Sequence, residues 1–269
     1  MLWFDHELLQ EGEAYSNKTG QLYSKSDSRL PTSYSSFQSD YKQWVNDSSV
    51  SGSINPVIPT QFMGSGRADD FVFDFENGRI IETGGATIST DITGTFAVKD
   101  FNIYLTNETE EDLILENKFQ INSRYGDLSI SGIDPYDQVV PAIFLNSEYM
   151  RNEGFAFGGE DKTTNTIKAV VIADSEYQLD GALSIFADTA RKTFSKIPFS
   201  NHPSTEYGDL KGAVYNYLSL SNSYSAETPY FIEDVTVSKF SERVQSKLPG
   251  SLKIGFIDFD VSTNRFPRS

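Results

Sequence analysis

The apolar positions of this chain change period most clearly between Thr166 and Pro198. Ile167 to Ala173 is a short apolar run rich in β-branched residues, the pattern of a strand buried on both faces or nearly so. Beyond it, Leu179, Leu183, Phe186, Ala190, Phe194 and Ile197 recur at spacings of three and four and fall on one stripe of a helix. Ser175 and Gln178 fit a capping box at its start. Pro198 cannot donate to a helix ladder, so the helix is predicted to end at Ile197. Burying the stripe contributes about 10 kcal/mol gross, at roughly 1.5–3 kcal/mol per large apolar side chain.

Elsewhere the two-residue period of strands dominates. Phe71, Phe73 and Phe75 alternate ahead of Asn77-Gly78, a dipeptide suited to a type I′ turn, so residues 71–81 predict a β-hairpin. Further strands are predicted at Ala86–Ile92, Thr95–Thr106, Val139–Asn146, Val214–Ser221, Tyr230–Phe240 and Leu252–Val261, with Pro141 marking an edge or a strand start. Gly154–Asn165 reads as a long hairpin or protruding loop, and residues 126–138 as a turn-rich connector. Thr109–Phe119 predicts a short helix with Glu110, Glu111 and Asp112 in its first turn, favourable against the helix dipole.

The N-terminal end is less regular. Residues 2–10 predict a short amphipathic helix with Leu2, Trp3, Leu8 and Leu9 on its apolar side, packed on this chain's own core or docked on a neighbour. From Ala14 to Ser53 the chain is polar, yet it carries Tyr23, Tyr34, Phe37, Tyr41, Trp44 and Val45. That mixture predicts an extended arm or long loop ordered by packing on this subunit or the next. The prolines of residues 55–59 offer a boundary. The division is then 1–60, N-terminal helix and extended arm; 61–135, a β-rich region; and 136–269, an α+β domain. The fold class is α+β: a mixed β-sheet with one long flanking helix in the C-terminal half, and a β-rich N-terminal region with an extended arm.

Composition narrows the chemistry. The 269 residues include 20 Phe and 14 Tyr, whose large flat side chains suit pleated surfaces. There is no Cys, which excludes disulfides, thiolate nucleophiles and cysteine–zinc sites. The two histidines, His6 and His202, lie far apart in sequence and argue against a histidine-rich metal site. A net charge of −16 repels phosphate and argues against tight binding to nucleic acid or an anionic membrane. No apolar run approaches the ~20 residues needed to span a bilayer. Met1-Leu2-Trp3-Phe4 is interrupted by Asp5, His6 and Glu7 well short of a secretory core.

Few residues combine into a recognisable site. Gly64-Ser65-Gly66 is too short for a dinucleotide loop, and no phosphate loop or nucleophile elbow is present. Asp258 and Asp260, on one side of a strand, and the pair Asp69-Asp70 could offer oxygens to a hard cation, but without the stepped spacing of a calcium loop. The simpler reading is a solvated strand face with Ile257, Phe259 and Val261 turned inward. Glu110, Glu111 and Asp112 read as a solvated helix start, and His202 as a surface histidine. The expectation is therefore no enzyme, and no catalytic, cofactor-binding or metal residues.

From about Val139 to Val261 the order of elements resembles the tail-terminator and head–tail connector proteins of tailed bacteriophages. The resemblance rests on Val140-Pro141-Ala142-Ile143-Phe144-Leu145, the strand at Ile167–Ala173, the long amphipathic helix, and three strands ending near Phe256-Ile257-Asp258-Phe259. The upstream Phe73-Asp74-Phe75-Glu76-Asn77-Gly78-Arg79-Ile80-Ile81 is similar to a strand pair common in phage virion proteins. The segments 14–53 and 61–125 depart from small terminators. The resemblance implies a virion structural protein of the neck, assembled in the host cytoplasm as a homo-oligomeric ring, commonly a hexamer. Its partners would be further copies of itself, the tail tube and other neck proteins, with no membrane. DNA would pass through without specific binding, which an acidic channel lining suits. The alternative is a tail-tip or baseplate module that binds a receptor or carbohydrate through Tyr and Trp of the 14–53 segment.

Overall fold

The computed structural model describes residues 1–50, 71–84, 92–115, 119–121, 138–154, 159–203, 214–225, 229–245 and 252–265. Asp69-Asp70, Gly64-Ser65-Gly66, the boundary at 55–59, most of the strand predicted at 86–92 and nearly all of the connector at 126–138 lie outside these. The fold is mixed α+β, with two curled sheets of five and six strands.

The five-stranded sheet is built from β1 (Tyr15–Ser24), β2 (Ser35–Ser39), β3 (Phe71–Asp74), β4 (Arg79–Glu82) and β5 (Ile92–Lys99), in the order β3-β4-β2-β1-β5. The polar stretch that predicted an arm is therefore extended, and it lies within a sheet of its own chain. Strand β1 pairs with β5 from Tyr15↔Lys99 to Leu22↔Ile92. It alternates without an apolar signature. Asn17, Thr19, Gln21 and Tyr23 are exposed, while the inward positions are Ser16, Lys18, Gly20 and the fully buried Leu22. Lys18 lays its ammonium 5.6 Å from the Tyr41 ring centre. Below the sheet, Phe37, Trp44, Phe71, Phe75, Ile80 and Phe96 form one core, with Trp44 stacked on Phe96 at 4.6 Å.

The predicted hairpin is β3–β4, registered Phe73↔Ile80 and Asp74↔Arg79. Its turn is not type I′, because only Gly78, at φ +63°, takes the left-handed region. Asp74 organises the turn. Its carboxylate accepts from the Asn77 amide nitrogens and, at 2.8 Å, from Arg79 Nε. Arg79 Nη1 donates to Asp27 Oδ2 at 2.7 Å, so this buried guanidinium is held by two acids.

The six-stranded sheet contains β6 (Asn102–Leu105), β9 (Ala142–Gly154), β10 (Asp161–Ala173), β11 (Thr193–Ser195), β12 (Pro229–Lys239) and β13 (Lys253–Arg265). Its order is β11-β12-β13-β10-β9-β6, antiparallel except for the β6–β9 pair. Two short strands, β7 (Phe119–Ile121) and β8 (Gln138–Val140), pair in parallel nearby. The segment read as one strand over 95–106 is broken at Asp100–Phe101, and its halves enter different sheets. Both sheets thus cross the divisions at 60/61 and 135/136. Strands β1 and β2 pair within a sheet completed by residues 71–99, and β6 joins the C-terminal sheet. The 154–165 reading holds as a long hairpin, β9–β10. The short helix α2 (Glu110–Leu115) starts at Thr109, whose Oγ1 accepts from the Asp112 amide.

The long helix is shorter than its stripe predicts. Helix α3 runs from Glu176 to Ala187 and buries Leu179, Ala182, Leu183 and Phe186. Ser175 caps it, accepting from Gln178 N, while Gln178 Oε1 accepts from Asp174 N rather than from the cap residue itself. Ala190, Phe194 and Ile197 lie beyond its end. Thr189 closes the last turn, donating from N and Oγ1 to Phe186 O, and Arg191 turns the chain at φ +71°. The next residues are captured by β12 through Arg191 N to Ile232 O and Ile232 N to Lys192 O. Phe194 then sits in β11, stacked on Tyr230 at 5.5 Å. Strand pairing overrides the helical period here.

Helix α3 lies on β13 at Gly255, where an added Cβ would stand 2.9 Å from Leu179 Cδ1 and 3.1 Å from Leu183 Cδ1. We expect Gly255→Ala to cost about 1–3 kcal/mol through overpacking, read as a lower urea midpoint at unchanged m-value.

The segment 214–221 is not a strand. After a single parallel bridge at Tyr215↔Asp47, Asn216 caps helix α4 (Tyr217–Tyr224), its side chain accepting from Ser219 N at 2.8 Å. A side-chain cap outcompetes the weak strand pattern. One further short helix, α5 (Glu242–Gln245), follows β12.

Candidate functional site

The first helix, α1 (Leu2–Gln10), packs on its own chain, and it is buried on every face from Leu2 to Leu9. Leu2, Trp3, Phe4 and Leu8 join the core under the six-stranded sheet, with Phe4 meeting Phe259 edge-on at 5.0 Å. Leu9 turns the other way, to Val45, Val50 and Ala97 beside the five-stranded sheet. A helix at such a seam has no solvent side for its polar residues, so each needs a partner.

Each of the three has one. Asp5 Oδ2 lies 2.6 Å from Lys99 Nζ at the end of β5, and 3.5 Å from Tyr215 Oη. His6 Nδ1 lies 2.8 Å from Asp47 Oδ2, and the His6 ring stacks on Tyr217 at 4.5 Å. Glu7 Oε2 lies 2.6 Å from Lys192 Nζ, just after α3. Three consecutive residues therefore hold three different parts of the chain.

Asp47 is the centre of this junction. Its side chain is fully buried, and Oδ1 accepts from Ser49 N at 3.0 Å, Ser49 Oγ at 2.6 Å and Tyr217 N at 3.0 Å. Burial pushes this carboxyl up, but the hydrogen bonds from His6, Ser49 and Tyr217 outweigh it, and the net direction is down. Burial, with the nearby Asp5 and Asp47 charges and the hydrogen bond to Asp5, drives the Tyr215 phenol well above its ordinary value. Burial also pushes Tyr217 up to about 12, against a hydrogen bond with Ser221 and with help from Glu7 and Asp47. Both phenols keep their protons near neutral pH.

A histidine on a buried carboxylate is one half of a hydrolytic triad. Here the carboxylate is fixed on four donors, the imidazole is stacked on Tyr217, and neither of the two clefts beside α1 is lined by His6. The chemistry this arrangement performs is clamping. Lys99→Met, which strands Asp5, should cost about 3 kcal/mol, whereas Asp5→Leu combined with Lys99→Met should cost far less. Urea denaturation of the single and double variants checks this.

The larger cleft, about 230 Å³, opens between the first turn of α1 and the segment after β11. Trp3, Phe4, Phe194, Tyr217 and Tyr230 supply aromatic walls, with Lys196 and His202 also lining it. Trp3 stacks on Phe194 at 5.1 Å, which extends the Phe194–Tyr230 stack into a ladder of three rings.

The other candidate residues are dispersed. Asp258 is half-buried and Asp260 exposed on the polar face of β13, opposite Thr236 and Asp234 of β12. Asp260 Oδ1 accepts from Thr166 Oγ1 at 3.1 Å. Among the described residues no three His, Asp or Glu side chains come together to hold a metal. Glu111 and Asp112 are exposed, with Glu110 3.8 Å from Lys168. Sequence reasoning did not single out Asp47 or Lys99. Their signal lies in three adjacent polar residues on a helix whose neighbours are all apolar, since a helix buried all round must recruit opposite charges. Scanned against protein-family models the chain matches none, and no curated protein matches it in sequence.

Proposed function

We propose that the chain is a non-enzymatic structural protein of a tailed-phage virion, a ring-forming component of the neck that joins the tail tube to the head as a terminator or connector. One observation about the six-stranded sheet supports this reading. Strand β9 is paired on both sides only as far as Leu145, so from Ser147 to Gly154 it has β10 on one side and no described strand on the other. On the opposite edge, β12 from Glu233 to Lys239 likewise has β13 alone. One sheet thus presents two long, unlike, open edges. Unlike edges on opposite sides join head to tail, and a head-to-tail contact that closes makes a ring. Each edge carries an exposed apolar side chain, Met150 at 65% and Val237 at 39% exposure.

The acidity of the chain fits the same reading, since a ring multiplies the −16 charge and keeps passing DNA from sticking. The rival carbohydrate reading draws less support. Phe37 and Trp44 are interior, at 0% and 1% exposure, and Tyr23 is the large apolar side chain of that segment left well exposed.

Light scattering and negative-stain imaging of the purified protein test the proposal, with a closed ring of about six copies expected. Met150→Lys combined with Val237→Lys should reduce the ring to monomers at unchanged monomer stability, because edge lysines block strand addition. A wild-type protein that stays monomeric at high micromolar concentration, and is absent from purified virions, overturns it.

A further inference from the structure

The three-ring cleft differs in chemistry from the rest of this molecule. The chain carries 38 acidic and 22 basic side chains, yet no carboxylate lines this cleft, while Lys196 and His202 both do. The smaller cleft on the other side of α1 is lined by Asp5, Glu76 and Lys99, so the absence of acid is local. The floor is apolar, being formed by the buried Leu2, Trp3 and Phe4 with Ile167. Lys196 is exposed on the segment that forms one wall.

We propose that this cleft binds a small aromatic carboxylate, its ring lying among Trp3, Phe194, Tyr217 and Tyr230 and its anion facing Lys196 and His202. The walls select the ring. Aromatic side chains gain more from a flat, polarisable guest than from an aliphatic one of equal area, through offset and edge-to-face contacts. The basic side chains select the anion. Elsewhere this acidic surface repels a carboxylate, so a pair of basic groups with no acid between them fixes the orientation of the guest. The volume limits its size. About 230 Å³ lies below the ~300–1,000 Å³ of pockets for drug-sized ligands, which suits one or two rings. This site is separate from the open sheet edges, and its occupancy does not depend on ring assembly.

The two tryptophans, Trp3 and Trp44, make the test direct. In protein labelled with 5-fluorotryptophan, ¹⁹F NMR gives one resonance for each, with Trp3→Phe assigning the pair. Titration with 2-naphthoate should shift the Trp3 resonance saturably and leave Trp44, buried in the other core, unmoved. Two controls, 2-naphthamide, which keeps the rings without charge, and cyclohexanecarboxylate, which keeps the charge without an aromatic ring, should each bind at least tenfold more weakly. Lys196→Gln is a surface change, and it should bring 2-naphthoate to within about twofold of the amide while leaving amide binding unchanged. The proposal is overturned if 2-naphthoate does not move Trp3, if either control binds as tightly, or if Lys196→Gln leaves naphthoate affinity intact.

Discussion

Asp47→Ala should lower stability by about 4–5 kcal/mol at pH 7, among the larger losses a single substitution produces. The change strands four donors at once: His6 Nδ1, Ser49 N, Ser49 Oγ and Tyr217 N. It also releases three parts of the chain from one another, namely α1, the 46–49 turn and the start of α4. The loss should depend on pH in a definite direction. The Asp47 carboxyl is held below its ordinary range in the folded protein, so its contribution is complete above the unfolded value near 3.9. As pH falls through the lower folded value, that contribution disappears. Urea denaturation at pH 7 and again near pH 3 should show the gap between wild type and Asp47→Ala narrowing in acid. A gap of equal size at both would mean that the carboxylate charge contributes nothing.

Gly78→Ala should cost about 4 kcal/mol, more than left-handed backbone strain alone, which is roughly 1–3 kcal/mol. At φ +63° a side chain is already disfavoured, and here an added Cβ would stand 1.8 Å from the Tyr41 carbonyl oxygen. The Tyr41 backbone cannot move aside cheaply. It belongs to a segment clamped on the β3–β4 turn by Ser39 N to Gly78 O, Gln43 N to Glu76 O and Trp44 N to Phe75 O. Relieving the overlap breaks this set and loosens Trp44 from Phe96. The measurement is urea denaturation followed by tryptophan fluorescence. Gly20→Ala in the neighbouring strand is the control, because its Cβ would meet nothing nearer than Phe96 Cζ at 3.9 Å, and it should change stability by less than about 1 kcal/mol.

The parts of the fold legible in the sequence are those where local pattern and tertiary environment agree. The strand at Ile167–Ala173, the β3–β4 hairpin, the β9–β10 hairpin and the two C-terminal strands carry their period openly. Strand β1 does not, because its inward positions are a serine, a lysine lying over a ring, a glycine and one leucine. The overlong reading of α3 has the opposite cause. Phe194 and Ile197 continue the helical spacing by coincidence, while the chain there answers to Ile232 in a strand some 40 residues away. Of the candidate site, His6 and His202 were visible as residues but not as partners. Nothing along the chain links His6 to Asp47, or Glu7 to Lys192, because those pairings exist only once both sheets enclose α1.

That enclosure sets an order of events during synthesis. Residues 2–9 leave the ribosome first, yet the groups that shelter them include Lys192, Tyr215, Tyr217 and Phe259, made last. Until those emerge, Leu2, Trp3, Phe4 and Leu8 have no complete resting place. Contacts so distant along the chain form slowly. The nascent chain is therefore a natural client for a hydrophobic-segment chaperone, and release from it should coincide with completion of β13.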